Sequence, residues 1–235
     1  MIAAGWRALL AGAAALLLAV SPATAQDQPP VEEHPGISQP GISHPSVSTA
    51  RSLKVFDALL VYPAPPWVAE APDRAKASAR FPLQRDTSYS LEEIPAAETP
   101  QTWTRMLKVS GYRAPDVPRF TLPQAVNLFA TPYTAGCDRG NASQQLLREE
   151  ATAGLVGILC GNSARGRKLA GYGDGVGEVV VAKLFIVGAT IVAVQFSWRG
   201  PKFDQARPET FPVPAATIAE TARWLDESVQ AAASP

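Results

Sequence analysis

The clearest hydrophobic pattern in the chain lies over residues 178–199 and predicts a β-hairpin. Apolar side chains occupy every second position in the second half of this stretch: Val192, Val194, Phe196 and Trp198. A rival interpretation takes residues 179–196 as a transmembrane helix. Lys183 within the run, Gly188 at its centre and the many β-branched residues favour the hairpin instead.

Shorter apolar runs predict five more strands, at residues 53–62, 87–94, 102–110, 144–150 and 155–161. Residues 70–79 are expected to form a loop or a brief helix. In the third of these strands, alternation places Trp103, Leu107 and Val109 on one face. Arg105 falls on the Trp103 face, where its stem can lie along apolar surface while the guanidinium reaches water.

Two segments carry helix signals. Thr121 is a candidate N-cap, with Pro123 in the first turn and Gln124 three residues after the cap. Pro132 either ends or kinks this helix. A closing helix over residues 215–230 has a core-facing stripe, formed by Ile218, Ala222, Leu225 and Val229.

The order of these elements predicts an α+β domain. Three strands, a helix, four strands and a final helix indicate an antiparallel sheet of about six to seven strands. The two main helices are expected to pack on one face of this sheet.

The first residues have the pattern of an export signal. Arg7 precedes an apolar run at residues 9–20 that is too short to span a bilayer, and the small-x-small pattern Ala23-Thr24-Ala25 follows. We therefore expect residues 1–25 to be a signal peptide, cleaved between Ala25 and Gln26. The mature chain of about 210 residues is expected to be soluble and periplasmic, with no membrane span.

A Pro-, Gly- and Ser-rich stretch follows the predicted signal. Three copies of a five-residue unit lie within residues 26–50, which cannot bury enough apolar surface to fold and are expected to be a disordered linker. His34 and His44 in this stretch are the only histidines of the chain, and they are either solvated linker residues or a weak metal-capturing pair. A single α+β domain is then expected at residues 51–230, with a disordered tail at 231–235.

The domain predicted in this way contains no histidine, which excludes common chemistries. A Ser-His-Asp triad, an imidazole base and a histidine-ligated zinc site all require that side chain. The glycine-rich run at residues 171–177 resembles a phosphate loop, but a strand is predicted after it where a helix is needed, so it is more typical of a turn. No catalytic, cofactor-binding or metal-binding residue is therefore assigned.

The charge balance excludes two classes of partner. The chain has 21 basic and 21 acidic residues, and loss of Arg7 with the signal would leave one net negative charge. Such a balance gives no electrostatic reason to expect nucleic acid or an anionic membrane surface as partner.

Cys137 and Cys160 are the only cysteines, separated by about two dozen residues. In an oxidising compartment such a pair is expected to form a disulfide, which would stabilise the fold by about 3 kcal/mol. A pair of buried free thiols is the alternative, because the sequence alone does not give the Cα distance.

Neighbouring acids and tryptophans are further candidates for a site. Adjacent acids in a strand point to opposite faces, so neither Glu92-Glu93 nor Glu149-Glu150 can flank one bond. The tryptophans of the domain could line a groove, although indoles at such positions usually pack in the core: Trp67, Trp103, Trp198 and Trp224.

One short block resembles a known family. Glu98-Thr99 is followed after three residues by Trp103-Thr104, and then by Met106 and Val109. This E-T-x(3)-W-T-x-M-x-x-V block is similar to that of an uncharacterised family of exported proteobacterial proteins with a later cysteine pair, a central hairpin and a terminal amphipathic helix. The resemblance implies a PsbP-like sandwich, as in extrinsic photosystem subunits, and a binding or assembly role. Arg105 stands where that family has an acid or polar residue, and no catalytic residue carries over.

Two functions from different classes follow from these observations. The first is a non-enzymatic periplasmic binding or accessory domain, whose partner is an envelope protein or a small ligand. The alternative is a histidine-free, carboxylate-dependent periplasmic hydrolase, with an acid pair drawn from Asp57, Glu93 and Glu150.

Overall fold

The computed structural model describes residues 50–114, 120–138, 140–163 and 175–234. Ten strands and three α-helices lie in these ranges. The strands are β1 Ala50–Val55, β2 Ala58–Pro63, β3 Ser78–Gln84, β4 Ser88–Pro95, β5 Arg105–Arg113, β6 Ala142–Glu149, β7 Ala153–Cys160, β8 Val176–Val187, β9 Thr190–Pro201 and β10 Gln230–Ala233. The helices are α1 Pro66–Glu70, α2 Leu122–Ala135 and α3 Ala215–Ser228.

A seven-stranded antiparallel sheet forms the centre of the fold, in the order β3-β4-β5-β9-β8-β7-β6. The predicted hairpin is confirmed as β8 and β9, and it excludes the transmembrane interpretation of the same residues. Its two-residue turn has Gly188 at φ 60°, a conformation that favours glycine and matches the twist of paired strands. Among the described helices, none has both the length and the apolar character needed to cross a membrane.

The two longer helices lie on opposite faces of this sheet, which corrects the prediction that they share one face. Successive residues of β8 alternate between the two clusters, with Val179 packed in the cluster of α3 and Val180 in the cluster of α2. A strand with apolar residues at consecutive positions needs cover on both faces. The α+β class and the antiparallel sheet of seven strands are confirmed.

The stretch predicted as one strand at residues 53–62 is two strands. Val55 pairs with Ala58 across a tight turn, and Phe56 in that turn has φ 53°. Apolar periodicity does not reveal the turn, because a bulky residue, rather than glycine or asparagine, takes the left-handed conformation.

A second, three-stranded sheet has the order β1-β2-β10. Its third strand is formed by residues 230–233, which corrects the prediction of a disordered tail beginning at 231. Ala231 packs against the larger core and the Ser234 amide donates to the Asp57 carbonyl, so this end of the chain is fixed to the β1–β2 hairpin. Ala50 already lies in β1, within the range predicted as linker.

The small sheet and α3 cover one face of the large sheet and enclose the main core with it. Leu60 and Tyr62 of β2, Trp67 of α1 and Leu225 of α3 are all buried in this cluster. Lys183 reaches from β8 to the Asp226 carboxylate of α3, with Nζ and Oδ1 3.2 Å apart.

Strand β3 is absent from the elements that the sequence predicts, because residues 70–79 lack a strand pattern and Pro82 interrupts the residues that follow. The backbone explains why proline is tolerated. Ala77 O accepts from Ala96 N and Arg85 N donates to Ser88 O, so odd-numbered residues direct their backbone groups toward β4. The nitrogen of Pro82 therefore faces away from β4, at the free edge of the sheet.

Helix α2 begins as predicted. Gln124 N donates to Thr121 Oγ1 over 3.4 Å, and Thr121 N donates to Gln124 Oε1 over 2.9 Å, which completes a capping box. Pro132 lies inside the helix and does not end it, since α2 continues to Ala135.

Candidate binding cleft

A cleft of 570 Å³ lies on the α2 face of the large sheet. Helix α2 packs over β6, β7 and β8, and none of the described helices packs to a similar extent over β4 and β5 on this face. The cleft is the space between the exposed half of the sheet and the side of α2. Its floor therefore comes from strands and one of its walls from a helix.

Strand alternation decides which side chains reach the floor. In β5, Leu107 and Val109 point into the main core, while Lys108 and its even-numbered neighbours point into the cleft. In β9 the odd-numbered residues do so, and the register places Gln195 beside Lys108. The floor thus combines polar side chains from two strands that are far apart in sequence.

Lys108 and Glu92 form an ion pair on this floor. They are register partners across β4 and β5, and Lys108 Nζ lies 2.8 Å from Glu92 Oε1. Burial alone would lower the pKa of Lys108, but the neighbouring Tyr133, Glu92 and Glu178 outweigh it, so this pKa lies above its ordinary value. The ammonium therefore stays charged and bonded.

Tyr133 of α2 connects the helix to the sheet. Its hydroxyl donates to Gln195 Oε1 over 2.9 Å, and Gln195 Nε2 donates to Ser197 Oγ over 3.1 Å. Burial raises the pKa of the Tyr133 phenol; Lys108 lowers it in part and Glu178 raises it further. The hydroxyl thus stays protonated and acts as a donor.

Arg199 lies beside Glu178, its register partner across β9 and β8. The Arg199 guanidinium stacks over Trp103, with Cζ 4.3 Å from the ring centroid, and donates to the Gln101 carbonyl over 2.8 Å. Glu178 lines the cleft and is nearly fully buried.

The rim of the cleft is apolar and open to solvent. Phe81 of β3, Tyr112 of β5 and Leu128 of α2 line it, with 39%, 39% and 41% of their surface exposed. Phe129 of α2 adds another ring, 5.7 Å from that of Tyr133. A bound molecule would therefore meet apolar walls first and hydrogen-bonding groups at the floor.

The acids proposed for hydrolysis do not converge. Asp57 is in the β1–β2 turn, and its Oδ2 lies 3.4 Å from Nε of Arg113 in β5. Glu150 follows β6, and its Oε1 lies 3.1 Å from Nε of Arg148. Glu93 is buried on the other face of β4, where it bonds with Arg51 of β1. Each of the three acids thus has an arginine partner of its own.

The predicted divergence of Glu92 and Glu93 is confirmed, because Glu92 faces the cleft and Glu93 the opposite face. The carboxylates that the structure does bring to one cleft are Glu92 and Glu178. Sequence reasoning misses this pair, since the order β4-β5-β9-β8 that unites them cannot be read from periodicity. The sequence pattern singles out Glu92 only as a neighbour of Glu93.

The block of residues 98–109 forms a turn that leads into β5. Glu98 accepts hydrogen bonds from Thr104 N at 2.8 Å and Thr104 Oγ1 at 2.6 Å, which closes the turn. Because the strand begins only at Arg105, Trp103 lies on the cleft side with Met106, and not on the Leu107 face as predicted. Arg105 lies on that other face, with its Cζ 5.5 Å from the centroid of the Trp67 ring.

The expectation that the tryptophans pack in the core is confirmed for all four. Trp67 and Trp198 are buried in the main core, and Trp224 packs against it. Trp103 is buried but also lines the cleft, so it is the indole placed to report on binding.

Cys137 and Cys160 lie at disulfide distance, with Cα atoms 5.6 Å apart. The pair joins the segment after α2 to the end of β7. The predicted cleavage site at Ala25 and Gln26, and both histidines, lie outside the described residues. In the described ranges, no cluster of three or more His, Cys, Asp or Glu side chains could hold a metal ion.

Comparison with known proteins gives structural likenesses only. No protein-family model matches the sequence, and no curated protein matches it. The chain is similar to the Ran-binding protein Mog1p of Saccharomyces cerevisiae, with a TM-score of 0.45 and 10% identity, over 78% of this chain and 96% of that one. A structure of a mutant of protein Mog1 gives a TM-score of 0.43 and 12% identity, over 77% and 95% of the two chains. At these scores the likeness carries nothing about what this chain binds.

Proposed function

We propose that this protein is an exported, non-enzymatic binding domain of the periplasm and that the cleft beside α2 is its binding site. The observation that carries the proposal is the cleft itself, an open space of 570 Å³ with apolar walls and a hydrogen-bonding floor. The export pattern of residues 1–25 and the block at residues 98–109, which resembles exported proteobacterial proteins, support the same assignment.

The chemistry of the floor suits recognition of a molecule with an apolar body and an uncharged polar group. Lys108 is neutralised by Glu92, and the Tyr133 hydroxyl and the Gln195 amide are hydrogen-bonded to each other. A ligand group that both donates and accepts can join this network, whereas a free charge would have to displace an existing ion pair.

Photo-crosslinking in a periplasmic extract tests the proposal. A benzoylphenylalanine at Tyr112, on the rim, should capture a defined molecule that the same group at Lys54, exposed on the far side of β1, does not capture. The substitution Leu128→Lys should reduce capture from position 112 at least tenfold. Equal capture from positions 54 and 112, or no capture from 112, would refute the binding assignment.

Export is tested separately by cell fractionation. We expect the protein in the periplasmic fraction with Gln26 as its first residue. Recovery of the uncleaved chain in the cytoplasm would refute the location and leave the cleft assignment standing.

A second candidate function has one specific observation in its favour. Glu92 and Glu178 line the same cleft, as an acid and a base do in glycosidases. If this chemistry operates, Glu92→Gln and Glu178→Gln should each lower the turnover of an activated glycoside or ester at least 100-fold. Absence of turnover in the native protein across such substrates rejects hydrolysis and leaves binding.

A further inference from the structure

The start of β1 lies close to the edge of the sheet that borders the cleft. Arg51 bonds with the buried Glu93 of β4, and Glu93 also lies 3.7 Å from Arg80 of β3. Strand β3 is the edge strand of the large sheet, and its Phe81 is on the cleft rim. The segment before Ala50 therefore begins beside this edge, on the face opposite the cleft.

We propose that residues 34–48 of this same chain, the Pro-Gly-Ser repeat, occupy the cleft when no other ligand is bound. This inference rests on the proposed function, because it takes the cleft to be a binding site. It adds that the N-terminal segment is an internal ligand, which an external molecule must displace.

The composition of the repeat matches the cleft. Proline-rich segments bind as extended chains in grooves lined by aromatic rings, since little conformational entropy is lost. The repeat places a proline and a branched apolar residue in every five positions: Pro35, Ile37, Pro40, Ile42, Pro45 and Val47. At about 3.1 Å per residue one unit spans about 15 Å. Three strand spacings, the separation of β3 from β9, are also about 15 Å.

The absence of charged residues in the segment also suits the cleft floor. Residues 34–48 contain no Asp, Glu, Lys or Arg, and His34 and His44 are the only side chains among them that titrate near neutral pH. On the cleft floor Lys108 and Glu92 neutralise each other. A segment without charges enters such a site without breaking an ion pair.

The chain is long enough to make the connection. To reach the cleft from Ala50, the chain must pass over β4 and β3, which is about two strand spacings, and then around the β3 edge to the other face, which is about one sheet thickness. This path is about 20–25 Å long. The ten residues between positions 40 and 50 span about 31 Å when extended. The second and third repeats can therefore both reach the cleft.

The edge itself would not take the segment as an added strand. Pro82 turns its nitrogen outward in the middle of β3 and cannot donate to a neighbouring strand. The segment is thus expected to bind through side chains in the cleft rather than by extending the sheet.

Photo-crosslinking within the chain tests the inference. Benzoylphenylalanine replaces Leu128 in a chain that retains residues 34–48, and the protein is mixed with a ¹⁵N-labelled copy at low micromolar concentration. Mass spectrometry should find position 128 linked to residues 34–48 of the same chain. The same group at Lys54 should give at least a tenfold lower yield of that product.

Two triple variants are matched in the side chain that they introduce. The variant Ile37→Asn, Ile42→Asn, Val47→Asn should lose at least nine-tenths of the cross-link. The control Ser38→Asn, Ser43→Asn, Ser48→Asn introduces the same uncharged polar side chains, leaves the apolar residues in place and should keep most of it.

Three results would overturn the inference: no cross-link to residues 34–48, equal yields from positions 54 and 128, or links between labelled and unlabelled chains in the proportion of random pairing. The last would assign the segment to a second copy. Capture of an external molecule from position 112 would persist in each case, so failure of this inference is distinct from failure of the binding site.

Discussion

Glu92 and Glu93 are adjacent in sequence but have opposite roles in the fold. Glu92 faces the cleft and neutralises Lys108, while Glu93 is 1% exposed and bonds with Arg51 of the small sheet. The pleat of β4 separates the two carboxylates because successive side chains of a strand point to opposite faces. One residue thus belongs to the candidate site and its neighbour holds the two sheets together.

Tyr133 allows a test of the floor network. Replacing Tyr133 with Phe removes the hydroxyl that donates to Gln195, and should lower the free energy of unfolding by about 1–2 kcal/mol at pH 7. Urea unfolding followed by circular dichroism would measure it. Tyr112→Phe, on the exposed rim, is the control and should change this free energy by less than about 0.5 kcal/mol.

The same variant has a signature at alkaline pH. The pKa of Tyr133 is raised in the folded state, so its stabilising effect is complete below the unfolded pKa of 10.0 and is lost as pH rises through the folded pKa. Native stability should therefore fall more steeply above pH 10 than that of Tyr133→Phe. Lys108, whose pKa is raised in part by Tyr133 itself, adds to the loss in the native protein. Parallel slopes above pH 10 would contradict the assignment.

At the scale of elements, the close approach of the two sheets depends on a glycine. A Cβ added at Gly111 of β5 would lie 2.3 Å from Val55 Cγ1 of β1 and 3.6 Å from Val55 Cβ. The first contact is impossible and the second is ordinary. The β1–β2 hairpin can therefore pack this closely against β5 only because residue 111 has no side chain.

This contact gives a double-mutant prediction. Gly111→Ala should lower the free energy of unfolding by about 1–3 kcal/mol through overpacking, and Val55→Ala by about 2 kcal/mol through a cavity. In the double variant the clashing valine methyl is gone, and the methyl added at position 111 fills part of the space. Its loss should be smaller than the sum of the two single losses by at least about 0.5 kcal/mol in urea unfolding. Additive losses would mean that the sheets do not meet here.

Elements with a strong local pattern are predictable from the sequence, and those defined by distant contacts are not. The β8–β9 hairpin and the capped start of α2 follow from alternation and from Thr121 and Gln124 alone. Strand β10 has only small or polar residues and exists because β2 pairs with it. The cleft is unpredictable for a similar reason, since its floor joins Lys108 to Gln195 across a register that only the folded sheet defines.

At the scale of the whole molecule, the large sheet has the main core on one face and the cleft on the other. One face supports the small sheet and α3 and forms the main core. On the other face α2 covers β6, β7 and β8, and no other helix in the described part of the chain packs to a similar extent over β4 and β5. The position of α2 therefore decides both the width of the cleft and the placement of Tyr133, and any link that holds the end of α2 also holds the site.

The Cys137–Cys160 pair is that link, because it lies between the end of α2 and the end of β7. Replacing both cysteines with alanine should lower the free energy of unfolding by about 3 kcal/mol, since the denatured chain regains the entropy of a loop of about two dozen residues. Dithiothreitol should lower the stability of the native protein to that of the double variant and leave the variant unchanged. Each single variant should match the double one. Two alkylatable thiols in the native protein without reductant, together with no effect of dithiothreitol, would show that the pair is not bonded and that packing alone holds α2.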